Sequence, residues 1–233
     1  MAKNLNQLAE DNGSDKGLVD LAHGYTRLYE MLFFPYKDRD IHILEMGLLR
    51  GGPETPTGTA DRTTSKAPSI QMWLSYFKSA HITGLDISDF SWLKDPRFTF
   101  LHCDMDTREN IKNTTNEFQS KFDIIIDDAS HASHHQQFAF IELWPHLKNG
   151  GIYIIEDLHW QPKSFERRDF PKTADVFHNF QRNRSFQHSD LDIQAELNSI
   201  SSEIGFSFVF PHRFRPRGKP KILVVHKDKV DHS

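Results

Sequence analysis

Acidic residues stand at the ends of five short apolar runs. Glu45 lies in IHILEMG (41–47) and Asp86 in HITGLDI (81–87). Asp104 ends FTFLHCD (98–104), Asp127 and Asp128 end FDIIIDD (122–128), and Glu156 and Asp157 end GIYIIED (151–157). Carboxylates gathered at one rim repel one another unless cations or hydrogen bonds offset them. Hard divalent cations prefer carboxylate oxygens, so the acids of the fourth and fifth runs can converge on one ion. Successive strand residues face opposite ways, so all four serve as ligands only if the chain turns at the strand end. His131 follows Asp128 by three residues and can take a proton from a substrate hydroxyl. A metal-bound hydroxyl is more acidic than a free one, so ion and base would act jointly.

The first run continues as Glu45-Met-Gly47-Leu-Leu-Arg-Gly51-Gly52, an ExGxxxG turn whose glycines let backbone approach a ligand closely. It lacks the GxGxxG spacing of dinucleotide sites, and no GKS/T follows it. Asp86, closing the second run, can accept both hydrogen bonds of a ribose diol. Asp104 can meet an adenine edge. Together they suggest a nucleoside cofactor without a pyrophosphate. Two other chemistries are weighed and set lower. His131, His134 and His135 lack the HExxH pattern of zinc enzymes, and His134 and His135 are expected as helix-start or surface residues. Ser130 has no GxSxG elbow around it, and Cys103 is expected as a small core residue.

The elements that must hold these residues are legible in outline. Runs of five to seven apolar residues without alternation predict strands covered on both faces, and amphipathic stretches lie between them. The alternation implies a mostly parallel sheet with helices on both faces. A helical stretch is expected around 17–34. A second is expected over 69–80 with Ser69 as N-cap, and a third over 132–148, stopped by Asn149-Gly150-Gly151. GFSFVF (205–210) and KILVVHK (221–227) flank a basic turn bearing His212, Arg213, Arg215 and Arg217, and read as an antiparallel hairpin. Residues 52–68 form a polar loop. Residues 160–190, with Arg167, Arg168, Arg182 and Arg184, are either a lid or substrate wall, or a solvated loop with a surface helix. The domain organisation expected is an N-terminal helical segment, 1–36, and one α/β domain, 37–233, with inserts at 52–68 and 160–190.

The chain has 233 residues, 37% hydrophobic and 26% charged, with 19 Phe to fill a core; this excludes a disordered tail. A net charge of −4 gives no global basic excess for nucleic acid or an acidic membrane surface. One cysteine excludes an internal disulfide framework. No apolar leader or membrane span is evident, so a cytoplasmic location is expected.

ILEMGLLRGG, the acid in ITGLDI, and FDIIIDD resemble the S-adenosylmethionine-dependent methyltransferases of the Rossmann-like class. GSDKG (13–17), HGYTRLYEMLF (23–33), SIQMWLSYF (69–77), DDASH (127–131) and GGIYIIEDLHW (150–160) are similar to the metal-dependent sugar O-methyltransferases of macrolide biosynthesis and to relatives grouped with cephalosporin hydroxylases. The resemblance covers roughly residues 12–160. It implies a Rossmann-like class I methyltransferase fold with a seven-stranded sheet. Glu45 and Gly47 would line the methionine side of the cofactor, and Asp86 and Asp104 the ribose and adenine. Gly51, Asp127, and His23 and Tyr25 of an N-terminal segment would be further cofactor contacts. Asp128, Glu156 and Asp157 would bind Mg²⁺, and His131 would be the general base.

The activity implied is methyl transfer to a hydroxyl of a sugar or other vicinal-diol natural product. The acceptor would be a small-molecule glycoside, neither nucleic acid nor membrane, with a homo-oligomer as a further expectation. A hydroxylase-like relative and a non-catalytic cofactor-binding module are the alternatives. The family's DDGSH reads DDASH here; were Ala129 to need a positive φ, it would strain the turn and misplace His131.

Overall fold

The computed structural model describes residues 3–18, 23–49, 63–164, 166–211 and 220–228. The chain divides into two compact units, residues 1–102 and 103–233.

In the first unit, helix α1 (Leu5–Asn12) opens with a capping box, Asn4 and Gln7 exchanging side-chain and backbone hydrogen bonds. Helix α2 (Thr26–Phe33) follows. Among the described residues of the helix expected at 17–34, this last part is helical, and residues 19–22 lie outside the described residues. Residues 15–17 and 23–26 instead pair backbone to backbone: His23 N donates to Asp15 O at 2.8 Å, Gly24 N to Gly17 O at 2.7 Å, and Thr26 N to Lys16 O at 3.0 Å. Gly24, at φ 71°, supplies the left-handed turn that a helix would forbid.

Strands β1 (His42–Met46), β2 (His81–Asp86) and β3 (Phe98–His102) lie parallel in the order β3-β2-β1. Helix α3 (Pro68–Tyr76) begins one residue earlier than expected. Its N-cap is Ala67, without a side-chain bond, and Ser69 is buried inside it. Pro68 explains the shift: a ring with fixed φ and no N–H suits the first helical position. Trp73 of α3 packs edge-on against Tyr29 and Phe33 of α2, with centroids 5.7 and 5.6 Å apart. These large, fully buried rings give the N-terminal helices their apolar seat.

The second unit holds α4 (Arg108–Thr115), β4 (Phe122–Asp127), α5 (Ser133–Leu143), β5 (Leu147–Ile155), α6 (Thr173–Asn183), α7 (Leu191–Ile200), β6 (Ile204–Pro211) and β7 (Pro220–Lys227). The strand order is β4-β5-β7-β6. β4 and β5 run parallel, and β7 runs antiparallel to both β5 and β6. Every residue of β4 is buried, as its unbroken apolar run requires.

The third expected helix is shorter than its pattern. α5 stops at Leu143, a short 3₁₀ turn covers Trp144–His146, and Asn149-Gly150-Gly151 belongs to β5. Pro145 cannot continue an α-helix. Gly150 supplies a φ of 78°, and Gly151 serves close approach: a Cβ on it would stand 2.9 Å from the Asp123 carbonyl oxygen. α6 buries Val176, Phe177 and Phe180, so the 160–190 insert contains an amphipathic helix; its four arginines are exposed.

Among the described residues the seven strands are mostly parallel with an antiparallel C-terminal pair, the α/β class expected. No helix among them is long and apolar enough to cross a membrane. The insert residues 52–62 and the basic turn 212–219 fall outside the described residues.

Candidate metal centre and cofactor residues

The parallel pairing of β4 with β5 sets Asp127 opposite Ile155, and Glu156 N donates to Asp127 O at 2.9 Å. That register carries the two acid pairs to the same end of adjacent strands. Beyond it, Asp128, His131 and Asp157 each offer a ligand atom within 4.8 Å of the others. Two hard oxygens and an imidazole nitrogen suit a divalent cation. His131 Nε2 lies 4.0 Å from Asp157 Oδ2, and its buried Nδ1 has no hydrogen-bond partner among the described residues. A polar atom buried without a partner is costly unless a ligand uses the site. The donor set therefore fits a metal ion.

Glu156 is buried but stands outside this group. Strand alternation sends it and its neighbour to opposite sides. Asp157 then leaves the strand at φ 52°, and His131 sits at φ 61°. Such backbone is uncommon outside glycine and persists where surroundings over-determine it. Ala129 is not among the positive-φ residues, so the strain anticipated there falls on His131 and Asp157 instead.

Neighbouring residues hold the cluster from behind. The buried Lys221 ammonium donates to Asp157 Oδ1, and His159 Nδ1 lies 3.8 Å from the same oxygen. Asp127, next to the cluster, is fully buried. Burial is the main force pushing its carboxyl up to about 7; the Ala129 N–H opposes this and Asp128 adds to it.

His134 and His135 do begin α5, but they are buried and not on the surface. His135 Nδ1 and Ser130 Oγ are 2.7 Å apart, which ties the DDASH turn to the helix. Burial, with His134 beside it, pushes the His135 imidazole down to about 4. No side chain of α5 caps its start; Glu166 does so from the insert, accepting from Ser133 N at 2.8 Å and Ser133 Oγ at 2.9 Å while Lys172 pairs with it. Sequence reasoning missed Lys221 and Glu166. Their partners lie 64 and 33 residues away, and no local pattern marks either.

The expected cofactor residues fall in both units. In the first, Glu45 is fully buried at the end of β1. Its Oε2 accepts from Trp73 Nε1 at 3.1 Å, and its Oε1 lies 3.5 Å from the buried Lys16 ammonium. Gly47 follows at φ 79°, and its N donates to Leu85 O at 2.9 Å. Asp86 is half-buried; Oδ2 accepts from Leu48 N at 2.8 Å and Oδ1 from Ser88 N at 2.7 Å. His23 stacks on Tyr25 with centroids 5.1 Å apart, and its Nε2 lies 3.6 Å from Asp15 Oδ2. In the second, half-buried Asp104 accepts from Asp106 N at 3.0 Å. Gly51 lies outside the described residues. Cys103 is buried and free, a core residue as expected.

These features define a class: an α/β protein with an acid–imidazole group beyond the carboxyl ends of adjacent parallel strands. The particular relatives are sugar O-methyltransferases. The chain is 35% identical over 151 residues to the 8-demethyl-8-alpha-L-rhamnosyl tetracenomycin-C 2'-O-methyltransferase of Streptomyces olivaceus, matching 65% of this chain and 36% of that protein. It is 33% identical over 136 residues to the mycinamicin VI 2''-O-methyltransferase of Micromonospora griseorubida, matching 58% of this chain and 32% of that protein. Among solved structures it is similar to the MycE methyltransferase of the mycinamycin pathway in complex with Mg, SAH and mycinamycin VI. There the TM-score is 0.73 at 24% identity, covering 99% of this chain and 56% of that one. That likeness shows the fold. No family model matches the chain. The chain spans about a third of the length of the curated relatives it matches.

Proposed function

We propose that this chain forms the catalytic part of an S-adenosylmethionine-dependent, divalent-metal-dependent O-methyltransferase acting on a sugar hydroxyl of a glycoside. The observation that carries the proposal is the Asp128–His131–Asp157 group. The curated relatives support it, since their names specify O-methylation of a rhamnosyl tetracenomycin and of mycinamicin VI.

S-adenosylmethionine is already a strong electrophile, so the protein's task is alignment and proton removal. A divalent cation, Mg²⁺ by preference, would be held by Asp128 and Asp157 and would acidify an acceptor hydroxyl; Glu156, expected as a third ligand, stands outside that group. His131 Nε2 would receive that proton, and Asp157 Oδ2 at 4.0 Å would stabilise the imidazolium. Lys221 holds the other Asp157 oxygen and so fixes the carboxylate's orientation. Asp86 would take the ribose diol; the Leu48 and Ser88 N–H groups, one on each of its oxygens, fix the carboxylate's orientation. Gly47, Glu45, Gly51, Asp104, Asp127, His23 and Tyr25 complete the proposed cofactor set, and the cytoplasm is the proposed compartment.

The hydroxylase alternative is disfavoured by the donor set. Iron oxygenases use two histidines and one carboxylate, whereas the group here holds one histidine and two carboxylates. The test is methyl transfer to 8-demethyl-8-α-L-rhamnosyl tetracenomycin C, measured with and without a chelator and with His131→Ala. Activity should vanish in both cases. Full activity in both would overturn the mechanism, and calorimetry showing no S-adenosylmethionine binding would overturn the assignment.

A further inference from the structure

The chain has four tryptophans. Three spend the indole N–H inside the protein: Trp73 on Glu45, Trp92 on Thr64 and Trp144 on Glu203. Trp160 makes no such bond among the described residues, and it is 42% exposed. Its ring stands edge-to-face with His131, with centroids 5.4 Å apart and planes at 74°.

The turn that carries it is held at several points. Trp160 N donates to Asp157 O at 2.9 Å, Leu158 N to Lys221 O at 3.1 Å, and Gln161 Nε2 to Leu158 O at 2.7 Å. An aromatic ring on a fixed turn, turned to solvent beside a candidate base, loses little freedom on meeting a ligand.

We propose that Trp160 is the acceptor platform: it stacks on the apolar C–H face of a pyranose ring while its free indole N–H bonds a ring substituent. The proposal rests on the sugar-methyltransferase reading and deepens it by naming a specificity-determining residue. The chemistry is that of an amphipathic aromatic. One face of a pyranose presents several C–H groups, which suit the electron-rich face of indole, and the edge of the indole remains polar. The contact between Trp160 and His131 would then bring a hydroxyl of the stacked ring to the imidazole.

The test reads binding without turnover. Saturation-transfer NMR is run with methyl α-L-rhamnopyranoside, Mg²⁺ and S-adenosylhomocysteine, on the wild type, W160F and W160A. The sugar C–H signals should be saturated by the wild type and largely retained by W160F. They should fall about fivefold or more in W160A, the loss expected on removing an aromatic anchor. The W160F result guards against misfolding of the smaller variant. Equal saturation by W160A and wild type, or none by wild type, would overturn the platform. Failure of the transferase reading itself appears separately, in the chelator and His131→Ala assays, which leave Trp160 untouched.

Discussion

His131 Nε2 and Asp157 Oδ2 lie 4.0 Å apart, and both residues adopt left-handed backbone, at φ 61° and 52°. Each leaves the end of a different strand, β4 and β5, and the turn at each brings its side chain toward the other. Backbone of this kind costs of order 1–3 kcal/mol per residue and is kept where the surrounding structure enforces it. Here Ser130 bound to His135 and Lys221 bound to Asp157 do the enforcing.

Replacing Asp157 should weaken both the metal site and the fold. Asp157→Gly relieves the φ penalty and removes the carboxylate. We expect Mg²⁺ affinity to fall about tenfold or more, as for loss of a ligand or its orienting partner. The melting temperature without metal should fall as well, because the buried Lys221 ammonium loses its carboxylate and relief of the φ strain offsets only part of that loss. Isothermal titration with Mg²⁺, paired with calorimetric unfolding, checks both.

Lys221→Met should expose the cost of leaving Asp157 without its buried cation. Breaking one side of a buried pair typically costs about 3–5 kcal/mol. Lys221→Arg should recover part of it. Mg²⁺ should protect the Met variant in thermal unfolding more than it protects the wild type, because the ion supplies the missing positive charge. Equal protection would mean that Lys221 does not act through Asp157.

Acid should destabilise the fold through its buried histidines. Burial lowers the His135 imidazole to about 4, and His134, His146 and His188 are lowered by the same cause. A native value below the unfolded one means that the unfolded chain binds more protons between the two. Stability therefore rises with pH through that window and is lost as pH falls from about 6.5 to 4. The melting temperature should drop across this range, and His135→Gln should flatten the dependence. A steeper slope in the variant would contradict the assignment.

Glu166→Ala should remove the cap that reaches α5 from the insert. A lost N-cap costs about 1 kcal/mol. Because α5 begins two residues after His131, turnover should fall alongside the melting temperature. Hydrogen exchange at the Ser133 amide should rise at least as much as the global change requires.

Much of the scaffold was legible because its causes are local. FDIIIDD and GIYIIED are apolar enough to be buried on both faces and too short for helices, so β4 and β5 follow from side-chain type alone. Where local signals competed, the misreadings have specific causes. Pro145 cut short the periodic stretch that began at 132, and Pro68 displaced the helix start from Ser69. Residues 15–17 and 23–26, with Gly24 at φ 71°, pair backbone to backbone where a helix is expected.

The sequence by itself determined that acids would end adjacent strands and that an imidazole would follow three residues later. Both are matters of order along the chain. Only the tertiary structure decided that His131, and not Glu156, joins Asp128 and Asp157, that Lys221 backs the site, and that His135 is buried. The reason is physical: alternation fixes a side chain's direction only within a strand. Beyond the strand's end, direction depends on backbone conformations and partners supplied by residues distant in sequence.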